Sequence, residues 1–247
     1  VLIALGVGVL VLTVTGIHVA YVWIHLRRNE NMGRFGMYNP TLIGAVGTIL
    51  MVANVTITDS ILTPVQCEGH PNGMQTLKVY RQIVCWNPDF DHQHQIMVGV
   101  ASVAVLIPLA FVALCVWVVL SLPVRFRQGD VAFLRAFAFL FHRYRPGAYW
   151  YAVAVVLRNT LVTLVPIIAD EALQLFTLVV VLTPCAFLSC SLFPWRVYLA
   201  NVLDIATNAG FLLTIFLAAL SAQNVDRGVV GTCLLVLFTV ITALLVA

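Results

Sequence analysis

The chain has 247 residues, of which 62% are hydrophobic and 9% are charged, and its net charge is only +3. Its mean hydropathy of +1.01 lies far outside the range of soluble domains, and the small positive charge gives no sign of a nucleic-acid partner. The composition therefore predicts an integral membrane protein.

Seven apolar segments approach or exceed the roughly 20 residues that a helix needs to cross a bilayer. The segments lack the alternation of apolar and polar residues that is typical of membrane β-barrel strands. Because lipid offers no hydrogen-bond partners, the backbone of a spanning segment must bond to itself, so we expect helices. The predicted fold is an all-α bundle of about seven transmembrane helices, forming a single domain over residues 1–247. The predicted spans are residues 2–26, 41–58, 96–120, 149–168, 172–193, 199–220 and 229–247.

The placement of basic residues predicts the orientation, because loops rich in Lys and Arg stay on the cytoplasmic side. Nine of these residues fall in loops one, three and five, and three fall in loops two, four and six. We therefore expect the N-terminus outside and the C-terminus inside. The first segment has no charged region or cleavage site of a signal peptide, and the chain begins without Met, so we expect a piece of a longer protein.

The predicted exterior loop, residues 59–95, contains Cys67 and Cys85 in a polar, turn-rich stretch. A disulfide between them would close a loop of about 18 residues, stabilise the fold by about 3 kcal/mol on the chain-entropy model, and require an oxidising compartment. The predicted orientation places this loop on the oxidising side. We therefore predict a Cys67–Cys85 disulfide, and the alternative is two free cysteines.

The same loop brings together carboxylates and imidazoles, which are possible metal ligands, at Asp89, Asp91, His92 and His94. Their spacing matches no recognised metal site, and a hydrated loop accounts for the same residues. We therefore predict no metal and no cofactor.

Residues 129–145 predict a helix lying along the cytoplasmic membrane surface, because the segment is too apolar for a solvated loop and too short to span. Gly129 and Asp130 would begin it, and Pro146 and Gly147 would end it. Its arginines would lie near the headgroups of an anionic inner leaflet, and an aromatic belt would follow at the start of the fourth span. The predicted interfacial residues are Arg135, Arg143, Arg145, Tyr149 and Trp150, with Tyr151 continuing the belt.

Arg158 lies in the middle of the fourth predicted span, about eight residues or roughly 12 Å from the aromatic belt. A charge at such depth costs about 2.5 to 3.5 kcal/mol on insertion scales, so the side chain should face the bundle interior and meet an acid or carbonyl oxygens. Asp204 is the first candidate partner and Asp59 the second. Asn201, Asp204 and Asn208 are spaced by three and four residues, so they share one helical face.

The sequence therefore predicts a polar core formed by Arg158, Asn159, Asn201, Asp204 and Asn208. Two roles stay open for it. It is a structural clamp that fixes helix packing, or a network that couples helix movement or lines a path for an ion or ligand. A single arginine does not make a voltage sensor, which needs several at intervals of three residues.

Enzyme motifs are missing from the sequence: it has no Gly-rich phosphate loop, no zinc-protease helix pair and no nucleophile elbow. The one lysine, Lys78, falls in the exterior loop, which excludes a retinal Schiff base within the helices. We do not expect an enzyme.

Four stretches together resemble one family. They are the Cys67 to Cys85 loop, RYRPGAYWYAVAVVLRN at 143–159, LQLF at 173–176 and WRVYLANVLD at 195–204. They are similar to the C-terminal membrane region of very large surface proteins of algae and other protists, in which a repeat-rich ectodomain precedes helices loosely similar to those of transient-receptor-potential proteins. The resemblance covers about residues 41–220 and implies a surface or ciliary membrane of a eukaryote, with other membrane or extracellular subunits as partners.

We therefore expect a membrane-anchoring, receptor-like seven-helix module of a larger cell-surface protein. The alternative is an ion channel or a channel-associated transport subunit. Against a channel of the transient-receptor-potential type, residues 221–228 are too few to hold a pore helix and filter between the last two predicted spans. Similarity to G-protein-coupled receptors rests on topology alone, and the last span lacks their Asn-Pro-x-x-Tyr signature.

Overall fold

The computed structural model describes residues 2–28, 39–86 and 92–222 and four isolated positions, Thr232, Leu235, Val236 and Thr239. This part of the chain is mostly α-helical. Five of its helices are long and apolar enough to cross a membrane, and a shorter apolar helix covers Tyr151–Ile167. The predicted seventh span, 229–247, lies outside the described residues except at those four positions, and so do Asp89 and Asp91.

Two compact units make up the chain, Val1–Arg143 and Tyr144–Ala247, and the predicted single domain over residues 1–247 stays a prediction. Among its described residues the first unit contains six α-helices and a two-stranded antiparallel sheet. Its elements are α1 Leu2–Arg28, α2 Asn39–Leu62, β1 Cys67–Gly69, β2 Gln75–Leu77, α3 His92–Ala104, α4 Leu106–Arg127, α5 Val131–Ala136 and α6 Ala138–Phe141.

The described residues 144–222 of the second unit form three α-helices that follow one another along the chain. They are α7 Tyr151–Leu164, α8 Glu171–Leu192 and α9 Tyr198–Ala222. Asp170 begins α8, because its carboxylate accepts the Leu173 backbone N–H at 2.7 Å. Phe193 ends α8 in the left-handed region, with φ of 44°, and α9 returns alongside it.

The predicted spans 2–26, 41–58, 172–193 and 199–220 correspond to α1, α2, α8 and α9, with end points that differ by a few residues. The predicted span 96–120 is part of a longer apolar element, His92–Arg127, which comprises α3 and α4 with a turn at Val105. Pro108 lies just beyond this turn and has no backbone N–H to donate to the carbonyl of Ala104, four residues earlier, which weakens the helix at this point.

The helix predicted over residues 129–145 is instead the short pair α5 and α6, separated at Phe137 and ended at Phe141. Asp130 begins it as expected, because its side chain accepts the Phe133 N–H at 3.0 Å. Arg145 precedes Pro146 and is extended, with ψ of 151°, as steric contact with the proline ring favours, so the helix does not reach residue 145.

α5 and α6 pack against α2, and α5 also packs against α4. Phe133 and Phe137 lie edge-on to Trp117 of α4, with ring centroids 6.0 and 6.4 Å apart. The Phe139 ring lies directly over Gly47 of α2, where a Cβ atom would overlap it. Gly47 therefore permits a close approach that no other residue would allow without movement.

Candidate functional site

Six polar side chains meet between the three helices of the second unit, and we refer to them as the polar cluster. They are Tyr151, Arg158 and Asn159 from α7, Ser189 from α8, and Asp204 and Asn208 from α9. Tyr151 and Arg158 are seven residues apart, which places them on one face of α7 two turns from each other. Asp204 and Asn208 are four residues apart and occupy successive turns of α9.

Arg158 donates from all three guanidinium nitrogens to two amide oxygens. Its Nε and Nη2 atoms lie 3.2 and 3.1 Å from Asn159 Oδ1, and its Nη1 lies 3.1 Å from Asn208 Oδ1. The side chain is only partly buried, yet each nitrogen has an acceptor. Neutral oxygens therefore solvate the cation within an apolar helix, where a charge needs such partners.

Asp204 does not contact Arg158 directly. Within the described residues the ion pair closer than 4 Å is Arg125–Asp130, at 3.3 Å. Asn208 connects the two groups instead, because its Nδ2 atom lies 2.8 Å from the Asp204 carbonyl oxygen and 3.5 Å from Asp204 Oδ1. Asp59, the second predicted partner, accepts a hydrogen bond from Gln66 Nε2 at 3.4 Å in the first unit.

Three oxygen atoms of the polar cluster form a closed triangle, which we refer to as the oxygen ring. Tyr151 Oη lies 2.6 Å from Ser189 Oγ and 3.0 Å from Asp204 Oδ2, and Ser189 Oγ lies 2.7 Å from Asp204 Oδ2. Tyr151 and Ser189 are each 1% exposed. The ring therefore joins one side chain from each of α7, α8 and α9, and of these Asp204 is partly exposed.

Sequence reasoning missed two members of the polar cluster. Tyr151 was assigned to the aromatic belt, but its hydroxyl points into the unit. Ser189 sits in an apolar run, where a lone serine usually bonds its own helix, and it does so here to the Cys185 carbonyl at 3.0 Å. A usable signal was the helical period, because Tyr151 lies two turns before Arg158 on the same face of α7.

Asn201 shares the helical face of Asp204 and Asn208 but lies outside the polar cluster. Its Oδ1 accepts the Trp195 N–H at 2.9 Å, and its Nδ2 donates to the carbonyl oxygens of Trp195 and Val197 at 3.0 and 3.2 Å. The amide thus holds the turn that leads into α9. Its role in the structure is local and does not involve Arg158.

An aromatic layer closes the end of the unit where α7 and α9 begin. The Tyr144 ring lies 5.6 Å from the Tyr151 ring and 5.0 Å from the Trp195 ring, measured between centroids. The backbone N–H of Arg145 donates to the Pro194 carbonyl at 2.8 Å, which fixes this layer to the turn after α8. Tyr144 is 1% exposed and packs against Tyr151, whose hydroxyl belongs to the oxygen ring.

The predicted disulfide between Cys67 and Cys85 is present in the first unit. It lies beside a small core formed by Leu77 and Ile83. His94 of α3 is buried there, with Nδ1 accepting the Trp86 N–H at 3.3 Å and Nε2 lying 3.1 Å from the Pro64 carbonyl. The histidine therefore holds the start of α3 against the disulfide loop.

Three possible metal-ligating groups lie within 4.8 Å of one another in this loop, those of Cys67, Cys85 and His94. The two sulfur atoms are bonded to each other and are not thiolates, and both nitrogens of His94 already have partners. These three groups therefore do not form a ligand set while the disulfide is intact. The predicted contributors Asp89 and Asp91 lie outside the described residues.

The residues predicted to lie at the membrane interface are on the surfaces of their respective units. Arg135 is exposed in the first unit beside the aromatic contact with α2, as is Arg143 at that unit's end. In the second unit Arg145 is exposed, Tyr149 is half-buried, and Trp150 is 39% exposed. Their contact with lipid headgroups stays a prediction.

Comparison with protein-family models, curated proteins and solved structures gives no match to this chain. Its function therefore has to be argued from its own residues. The polar cluster combines a fixed cation, a carboxyl group and two hydroxyls inside an apolar helix packing. Such a group of side chains can hold helices together and can bind a proton.

Proposed function

We propose that the chain is the membrane-anchoring, receptor-like module of a larger cell-surface protein, with seven membrane-spanning helices and its N-terminus outside. Five described helices are long and apolar enough to cross a membrane, and Tyr151–Ile167 is a further apolar helix. The predicted span 229–247 would be the seventh. The disulfide in the 59–95 loop supports an exterior location for that loop, because disulfides persist in oxidising compartments.

The observation that carries the proposal is the mutual pairing of the polar side chains in the second unit. In a water-filled path, an intramembrane arginine and aspartate would face the water. Here Arg158 and Asp204 are partly buried, the nitrogens of Arg158 are bound by amide oxygens, and Asn208 and Ser189 are 2% and 1% exposed. Pairing of this kind joins three helices and favours a clamp within an anchor over the lining of a channel.

The resemblance to surface proteins of algae and other protists supports the same reading, because those proteins carry a large ectodomain before their membrane region. Sequencing the full-length transcript tests this directly. A long, secreted-type region encoded ahead of Val1 agrees with the proposal. Additional membrane spans together with a pore-like segment would contradict it and would favour the channel alternative.

The orientation is tested with a folded reporter domain fused before Val1 and expressed on cells. We expect antibody staining of the reporter on intact cells, because the first span would place it outside. The matched control carries the same reporter after Ala247, and it should stain only once the cells are permeabilised. Reversed staining, or staining of both ends on one side, would contradict the topology.

Whole-cell recordings on the same cells separate the anchor from the channel. An anchor adds no conductance over untransfected cells. A new conductance that changes in the Arg158→Gln variant would overturn the anchor and establish the alternative.

A further inference from the structure

We propose that the second unit contains a binding groove for an amphiphilic organic cation, a molecule with an ammonium head and an apolar tail. The groove lies between the start of α8 and the second half of α9, and its volume is about 990 Å³. Pockets for small organic ligands measure roughly 300 to 1,000 Å³. We refer to this groove as the acidic groove, because Asp170 and Glu171 line one end of it.

Most of the acidic groove is apolar and suits a hydrocarbon tail. Ile215 of its lining is 8% exposed, whereas the rings of Phe176 and Phe216 are 65% and 58% exposed. The lining runs along α8 from Asp170 to Val179, nine residues or roughly 13 Å at 1.5 Å per residue. An extended tail can cover the two phenylalanine rings, which a small inorganic cation cannot.

The polar end of the acidic groove carries two negative charges. Asp170 and Glu171 are both exposed, and the described lining contains no Lys, Arg or His. Neither acid has a basic side chain within 4 Å in the described part of the chain, where the ion pair at such a distance is Arg125–Asp130. The two carboxylates therefore keep their charge available for a ligand.

The dipole of α8 opposes a cation at this position, so the two effects have to be weighed. The start of a helix is equivalent to about half a positive elementary charge. Asp170 offsets part of it, because one of its carboxylate oxygens accepts the Leu173 N–H at 2.7 Å. Two full negative charges exceed the half charge of the dipole, so the net field in the groove attracts a cation.

The charge pattern also distinguishes this ligand from an ordinary phospholipid. Phosphatidylcholine and phosphatidylethanolamine carry a phosphate next to the amine, and the described lining offers that phosphate no basic side chain. The two carboxylates would repel it. A single-chain amine without an anionic group fits better, and it is charged at neutral pH because a primary amine such as that of lysine has a pKa of about 10.4.

The acidic groove deepens the proposed receptor-like role, and it rests on that proposal for the direction from which the ligand enters. With the N-terminus outside, the fifth predicted span, 172–193, begins on the exterior side and the sixth, 199–220, ends there. Asp170 and Glu171 at the start of α8 would then face the exterior. A soluble amphiphilic cation outside the cell would reach the carboxylates first and lay its tail along the helices.

The test is photoaffinity labelling of the full chain in phosphatidylcholine nanodiscs. The probe is decylamine with a diazirine in its tail, and the N-acetylated probe is the matched neutral control. We expect the amine to label peptides around Phe176 and Phe216 more strongly than the neutral control by about fivefold or more, the effect of one contact between opposite unit charges about 4 Å apart in water. Unlabelled decylamine should compete with the probe.

Two variants locate the charge that the amine recognises. Asp170→Asn with Glu171→Gln should abolish the preference for the amine over the neutral control. Asparagine keeps the helix cap, because its side-chain oxygen still accepts the Leu173 N–H, so the variant should fold. The matched control, Glu68→Gln, removes an exposed acid from the first unit and should leave the preference unchanged.

Three results would overturn the proposal. The first is equal labelling of the groove by the amine and by the neutral control. The second is a preference for the amine that survives Asp170→Asn with Glu171→Gln. The third is competition by phosphatidylethanolamine in the nanodisc as strong as that by decylamine, which would assign the groove to a lipid headgroup. Antibody staining of the terminal reporters is a separate readout, so failure of the cation site is distinguishable from failure of the topology.

Discussion

Removal of Asn208 is the sharpest test of the clamp, because this amide connects the cation to the acid. Asn208→Leu keeps a similar volume but takes away the acceptor of Arg158 Nη1 and the donor to the Asp204 carbonyl oxygen. Arg158 then stays within the helices with one nitrogen unpaired. We expect the variant to be less stable, and Arg158→Met in the same chain to recover part of the loss.

The magnitude follows from two hydrogen bonds of Asn208, one to Arg158 of α7 at 3.1 Å and one within α9, to the Asp204 carbonyl oxygen, at 2.8 Å. A hydrogen bond between membrane helices contributes on average about 0.6 kcal/mol and at most about 1.7 kcal/mol, and a typical intramolecular one about 0.5 to 1.5 kcal/mol, so the loss should be about 1 to 3 kcal/mol. Arg158→Met alone gives up three hydrogen bonds, one to α9 and two within α7, but also removes a charge that costs about 2.5 to 3.5 kcal/mol to insert. Its net effect should therefore be small.

Reversible unfolding of the purified chain in mixed micelles with increasing detergent denaturant measures these differences. The loss of unfolding free energy in the double variant Arg158→Met with Asn208→Leu should be smaller than the sum of the losses in the two single variants. The difference should be about 0.6 to 1.7 kcal/mol, the value of the bond that the two side chains share. Asn201→Leu is the matched control. It removes an amide from the same face of α9 that does not contact Arg158, so its effect should add to that of Arg158→Met.

Additive effects of Asn208→Leu and Arg158→Met would refute the reasoning, because independent changes show no shared contact. Equal coupling of Arg158→Met to Asn201→Leu and to Asn208→Leu would refute it as well. In that case the stability would depend on the helix face as a whole and not on the bond between the two side chains.

The first unit offers further predictions. Gly47→Ala should destabilise the chain by about 1 to 3 kcal/mol, because the new methyl overlaps the Phe139 ring, and the loss should shrink in a Phe139→Leu background. Gly99→Ala, where nothing lies near the new methyl, should instead stabilise helix α3 by about 0.8 to 1 kcal/mol; both are read from unfolding curves. Cys67→Ser with Cys85→Ser should lower stability by about 3 kcal/mol and abolish the mobility shift that reduction causes in gel electrophoresis of the wild type.

The long helices were predictable because their signal lies within each segment. A run of about 20 apolar residues is a local property, and α1, α2, α8 and α9 follow it closely. The disulfide was predictable for a related reason, since Cys67 and Cys85 stand close in sequence within a polar loop that cannot bury them separately. Neither inference needed knowledge of a distant contact.

The polar cluster was only partly predictable, because the contacts within it join distant helices. The free-energy cost of burying a charge predicts that Arg158 must have hydrogen-bond partners. The helical period of about 3.6 residues places Asp204 and Asn208 on one face of α9. Neither argument reveals that an amide would take the place of a direct ion pair. Ser189 gives no local signal at all, because its role depends on the approach of Tyr151 across 38 positions of sequence.

The helix pair α5 and α6 departs from its prediction for a comparable reason. Composition alone predicts an apolar helix over residues 129–145, but composition does not show that aromatic side chains would gather on Trp117 and Gly47. The break at Phe137 accompanies that packing. Where tertiary contacts compete with local propensity, the contacts decide.

The combined length of α3 and α4 has a mechanical consequence. The element His92–Arg127 contains 36 residues, or about 54 Å at 1.5 Å per residue, whereas a whole bilayer with its headgroups measures about 40 to 45 Å. One end holds His94 against the disulfide loop, and the other carries Arg125, bound to Asp130. A displacement of the loop would therefore act along this element on the turn before α5, and the turn at Val105 is the one break in it among the described residues.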